Sequence, residues 1–218
     1  MEERLLNIYK GIMEDDDLGQ VEAYFNNRCY LTIKDFGLLL SHFLTNSTSE
    51  TKPILDIIFK SKKFKDMNAC CDKFGEPIVN CLIYDMATAK PSKKAMLRSI
   101  IMDEDIPLKW NVHSESLDSP LHVIASTCED LGLDITWDLL ALAMKNNCNP
   151  LDKNDANMTA MQIFRYDVIN TDMISEDMRN EFIKFIEKGI NKQMIKIKAD
   201  AYDVLETTET VLTPTIAL

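Results

Sequence analysis

Glycine is scarce in this chain, six in 218 residues. A loop that cradles phosphate needs closely spaced glycines, and no G-x-G-x-x-G or Walker-type run occurs. Basic charge is also short. Lys and Arg number 24 against 35 Asp and Glu, a formal net charge of −11. Nucleic-acid affinity rests on Lys and Arg neutralising phosphates, so the balance argues against direct nucleic-acid binding. An anionic membrane leaflet would repel the same charge. No apolar run approaches the ~18 residues of a membrane helix. The opening MEERLLNIYK is acidic within three residues and lacks the apolar centre of a secretory signal. The expected location is cytoplasmic or nuclear.

Catalytic signatures are missing as well. Neither G-x-S-x-G nor H-E-x-x-H occurs, and the histidines are three: His42, His113 and His122. The six cysteines, Cys29, Cys70, Cys71, Cys81, Cys128 and Cys148, form no C-x-x-C pair. A thiolate metal site at Cys70, Cys71 and Cys81 is the sharper reading; buried thiols acting as small hydrophobes is the plainer one. The acidic runs 15–17 and 103–105 read as solvated helix ends, since the first lacks the ligand spacing of a calcium loop. The twelve methionines read as gap-fillers of an irregular core. No enzyme activity, cofactor or metal is expected.

What the sequence has in quantity is short helical periodicity. Leu5, Leu6, Tyr9 and Ile12 repeat at helical spacing, as do Ile54, Leu55, Ile58 and Phe59, and Leu139, Leu140 and Ala143. Phe182, Ile183, Phe185 and Ile186 make a last such group. Starts are legible: Ser47 or Ser49 before Pro53, Ser92 before a helix over 93–102, Ser175 before one over 176–188. Strand candidates are limited to 30–33 and 196–197. Many short helices without strands must bury their faces on one another, so the class is all-α, a bundle or a solenoid.

Residues 118–125 read DSPLHVIA. Ser119-Pro120-Leu121-His122 is close to the T-P-L-H-x-A signature that opens an ankyrin repeat. Weaker echoes place first-turn positions at Leu40, Pro77, Pro120 and Ala160, spaced 37, 43 and 40 residues apart. Trp137 to Pro150 reads as a second helix, with Asn147 where such helices end in a left-handed glycine. The chain therefore resembles a divergent ankyrin-repeat protein over residues 1–191. The units run approximately 2–34, 35–71, 72–114, 115–154 and 155–191, and 192–218 form an extension, flexible or partner-docking.

The resemblance implies a short solenoid of about five stacked helix pairs with projecting fingers. It also implies a non-enzymatic adaptor or inhibitor that binds one protein partner through fingers and inner helices. The acidity points to a partner with a basic patch, as for ankyrin-repeat inhibitors of NF-kappaB-type factors. The other readings are a non-catalytic subunit completing an enzyme and a scaffold tethered by the extension. The candidate protein-binding residues are Trp110, His113 and Glu115 on the finger 103–117, with Lys73 and Asn154 on its neighbours. Trp110 either packs beneath its own finger or projects as an anchor.

Overall fold

The computed structural model describes residues 3–14, 17–66 and 75–169, with isolated positions Lys184, Glu187 and Lys188. Lys73, Cys70, Cys71, the expected helix 176–188, the strand candidate 196–197 and the extension 192–218 lie outside them, apart from those isolated positions.

The described residues are all-α. Eleven α-helices succeed one another: α1 (Glu3–Glu14), α2 (Leu18–Ala23), α3 (Ile33–Thr45), α4 (Lys52–Lys60), α5 (Lys62–Asp66), α6 (Ile78–Thr88), α7 (Pro91–Ile101), α8 (Pro120–Ser126), α9 (Cys128–Leu131), α10 (Leu133–Lys145) and α11 (Ala160–Ile169). Among the described residues the extended pairing is one isolated bridge, Lys153 with Thr159.

The helices form where apolar spacing and caps agree. Phe36, Leu39, Leu40, Phe43 and Leu44 recur at three and four residues and are buried on α3. The Thr32 hydroxyl accepts from the Asp35 N–H at 3.1 Å and starts that helix. Thr48 and Thr51 cap each other reciprocally ahead of α4, with Pro53 in its first turn. Pro91 opens α7. At the end of α10, Asn147 takes φ 61°. The Asn147 and Cys148 N–H groups bond back to Met144 and Ala143. This is a Schellman ending, as the left-handed asparagine predicts.

Four expectations need correction. Leu40 and His42 do not open a helix: Thr32 caps α3 at Ile33, so both lie inside it. The cap before α4 is Thr48, not Ser47 or Ser49, because the Ser47 hydroxyl is turned back onto the Leu44 carbonyl. Ser92 lies within α7, which the chain enters through extended Lys90 and Pro91. Ile33 of the strand candidate 30–33 begins α3.

The helices pack in two rows. In one, α1 touches α3, α3 touches α6, α6 touches α8 and α8 touches α11. In the other, α2 touches α4, the turn before α4 touches α7, and Arg98 of α7 pairs with Asp138 of α10. One apolar cluster runs through both, from Leu5 to Phe164. Each fully buried Leu, Ile or Phe adds ~1.5–3 kcal/mol relative to exposure. Lysines on the second row fasten neighbours. Lys93 Nζ donates to the Leu44 and Thr45 carbonyls that end α3, at 2.6 and 3.0 Å. Lys94 Nζ donates to the Asp130 carbonyl at 2.6 Å. A cation beside helix-terminal carbonyls satisfies orphan acceptors and the helix dipole together.

Candidate functional site

The start of helix α8 fixes the fingers on either side of it. That start is a reciprocal cap: Ser119 N–H donates to His122 Nδ1 at 3.1 Å, and the Ser119 hydroxyl lies 2.8 Å from the same nitrogen. Accepting the N–H at Nδ1 places the ring proton on Nε2, which donates to the Met158 carbonyl at 3.0 Å. His122 is 1% exposed. It therefore holds its own helix start and the base of the next finger.

The same arrangement recurs at other helix starts. Thr159 and Gln162 cap each other at the start of α11. At α6, Asn80 stands in the His122 position and its Nδ2 donates to the Asp118 carbonyl at 3.3 Å, at the base of the finger that leads into α8. Here the cap residue is Pro77. Proline has no N–H, so Asn80 lacks the donor that His122 finds in Ser119. This explains why Asn80 Oδ1 is buried without a hydrogen bond. Two residues before each cap the backbone is left-handed: Gly75 at φ 78°, Leu117 at φ 62° and Asn157 at φ 60°. A Cβ at Gly75 would meet the exposed Glu115 side chain at 2.5 Å, which that flexible chain can vacate, so glycine is favoured there chiefly for its φ.

The two fingers 111–118 and 149–159 are closed alike. The Asp118 N–H donates to Ser114 Oγ at 3.0 Å, and the Met158 N–H donates to Asn154 Oδ1 at 3.1 Å. Bonds between them fix their relative position. Asp155 N–H donates to the Ser116 carbonyl at 3.0 Å, and Asn154 Nδ2 to Asp118 Oδ1 at 3.0 Å. His113 Nε2 lies 3.0 Å from Asp152 Oδ2.

Trp110 is 4% exposed. It packs beneath its finger beside a hollow of ≈ 270 Å³ lined in part by Ile101, Leu108 and Leu142. The projecting anchor is therefore not the conformation present. The apolar ring gains more by burial in the core than by facing water. The Cys148 thiol donates to the Trp110 carbonyl at 2.9 Å, and burial pushes that thiol up to about 12. Of the remaining candidates, His113 and Asn154 meet at the seam between the fingers, Glu115 is exposed and lies over Gly75, and Lys73 lies outside the described residues.

Sequence reasoning missed two exposed leucines at the fingers. Leu117 is 50% exposed and Leu151 is 39% exposed, each an apolar residue in a polar loop. That isolation was the available signal. It also missed Tyr84, exposed at its edge on α6, whose phenol is raised to about 12 by burial and then by the nearby Glu76 and Asp118 carboxylates.

Cys81 donates to the Glu76 carbonyl at 3.7 Å. Among the described residues no group of three or more His, Cys, Asp and Glu is arranged to hold a metal ion. No helix among them is long and apolar enough to cross a membrane. No protein-family model and no curated protein sequence matches the chain.

Proposed function

We propose that the helix pairs form an ankyrin-like stack of about five units. We further propose that the chain is a non-enzymatic interaction module, an adaptor or inhibitor, that binds one protein partner through its fingers and first helices. The observation that carries the reading is the recurrence at α6, α8 and α11 of one construction: a left-handed residue, an extended cap and a third helical residue aimed at its cap or the next finger. A repeated turn that hydrogen-bonds forward to its neighbour is what a stacked array needs, because no single helix pair buries its apolar face alone. The fingers it supports are braced against each other, which lowers the ordering cost of binding.

The finger carboxylates favour a partner with a basic patch, and such association weakens with salt. Composition and charge favour the cytoplasm or nucleus for the module, away from nucleic acid and membranes. Affinity capture on the immobilised full chain, at low and high salt, tests the reading. The expected result is one protein retained at low salt and released at high salt. Failure to retain any protein, together with substrate turnover by the purified chain alone, would overturn it.

A further inference from the structure

Leu117 is out of place on two counts. Its φ of 62° is a conformation that side chains other than Gly and Asn seldom adopt, and its equivalents before α6 and α11 are Gly75 and Asn157. It is also half exposed, so burial does not explain the choice of leucine. An apolar side chain held strained in water is a feature whose reward lies outside the folded monomer.

Its surroundings suggest what that reward is. Leu151 is exposed on the adjoining finger. The two leucines flank the seam closed by the Asp155–Ser116 and His113–Asp152 bonds, so their separation is fixed before any partner arrives. The charge at the seam is one-sided. Residues 111–118 and 149–157 carry Glu115, Asp118, Asp152 and Asp155 against one lysine, Lys153. Asp152 faces His113 Nε2 and accepts from Asn149, and Asp118 accepts from Asn154 and Ser116, whereas Glu115 and Asp155 form no ion pair with Lys or Arg among the described residues.

We infer that Leu117, near the tip of one finger, and Leu151, at the base of the next, form a preformed docking site for a partner segment carrying apolar side chains flanked by Lys or Arg. This rests on the reading of the chain as an interaction module and adds the chemistry of the partner. The leucines supply apolar contact, and the Glu115 and Asp155 carboxylates set register and favour cations. A second copy of the chain would bring its own acidic fingers to the site, and like charges there oppose it.

The test uses the full chain and a synthetic probe, a twelve-residue peptide with two leucines flanked by arginines. Control peptides replace the leucines with serine or the arginines with glutamate. Leu117→Gly is the decisive variant, because glycine accepts φ 62° without strain and its loss of binding is not loss of fold. The expected result is binding of the Arg–Leu peptide alone, weakened at least tenfold by Leu117→Gly and by Leu151→Ser, with methyl resonances of both leucines shifted by the peptide. No binding of that peptide, equal binding by Leu117→Gly, or shifts confined to other surfaces would overturn the inference. So would a dimer of the wild-type chain that Leu117→Gly dissociates, since the occupant is then a second copy. A captured protein partner indifferent to Leu117→Gly would remove this site and leave the interaction reading standing.

Discussion

The two sides of the molecule use charge differently. On the second-row helices five cations are engaged: Lys93 and Lys94 hold helix-terminal carbonyls, Arg98 pairs with Asp138, Lys52 with Asp56 and Lys60 with Asp103. On the fingers, order comes from hydrogen bonds at Ser114, Asn154 and the backbone of Asp155 and Ser116, with the Asp118 and Asp152 carboxylates meeting Asn154 and His113. The carboxylates there take no Lys or Arg partner among the described residues. One side is fastened largely by Lys and Arg, while the other leaves Glu115 and Asp155 without such a partner among the described residues. That difference is why we propose the fingers as the surface on which an acidic chain selects a basic partner.

The comparison breaks most readily at the root of the fingers. Trp110→Ala removes a buried ring from beneath one finger and should cost ~3–5 kcal/mol in urea unfolding. A loss within ~0.5 kcal/mol of a surface substitution would mean that the ring does not support the finger. His122→Ala leaves the Ser119 N–H and the Met158 carbonyl unpaired in a buried turn and should cost ~2–3 kcal/mol. Lys93→Met, on the fastened side, keeps the side-chain length and loses two partly solvated bonds to the Leu44 and Thr45 carbonyls, so ~1 kcal/mol is expected. Equal losses at Lys93 and His122 would erase the distinction between the two sides.

Smaller effects sharpen it. Pro77→Ser gives Asn80 the N–H that its Oδ1 lacks and should stabilise by ~0.5 kcal/mol, the cap gain being offset in part by a freer unfolded chain. Adding Asn80→Ala should cancel that gain, whereas additive changes would separate Asn80 from the cap. The smallest effect is a pH dependence. Lys60 holds the Asp103 carboxyl below its ordinary range. That contribution is present above the ordinary carboxylate pKa and is lost as pH falls through the folded value. Being exposed and salt-screened, it should vanish from the acid limb of the stability profile in Asp103→Asn and in high salt.

Much of the fold was legible from local pattern. Helices α1, α4 and α10 arise from apolar spacing, and the left-handed Asn147 from the way α10 ends. The start of α3 was misplaced because Thr32-Ile33-Lys34-Asp35 lacks proline and histidine, while His42 downstream imitated them. The structure decides it through one bond, from the Asp35 N–H to the Thr32 hydroxyl. At the site, His122 was readable because its motif is local. Burial of Trp110 was not, because it depends on Leu142 and Cys148, more than thirty residues away. Leu117 was unreadable for another reason: its significance is a backbone angle, which composition does not encode.

The most direct test of the central claim compares capture by the immobilised chain after changes on the two sides. One variant removes finger charge, Glu115→Gln with Asp155→Asn, and the other removes an exposed cation at the start of α7, Lys90→Gln. The account predicts that the finger variant loses most of the salt-sensitive capture at low ionic strength while Lys90→Gln retains it. Retention by the finger variant together with loss in Lys90→Gln would contradict the account and move the binding surface to the second-row helices.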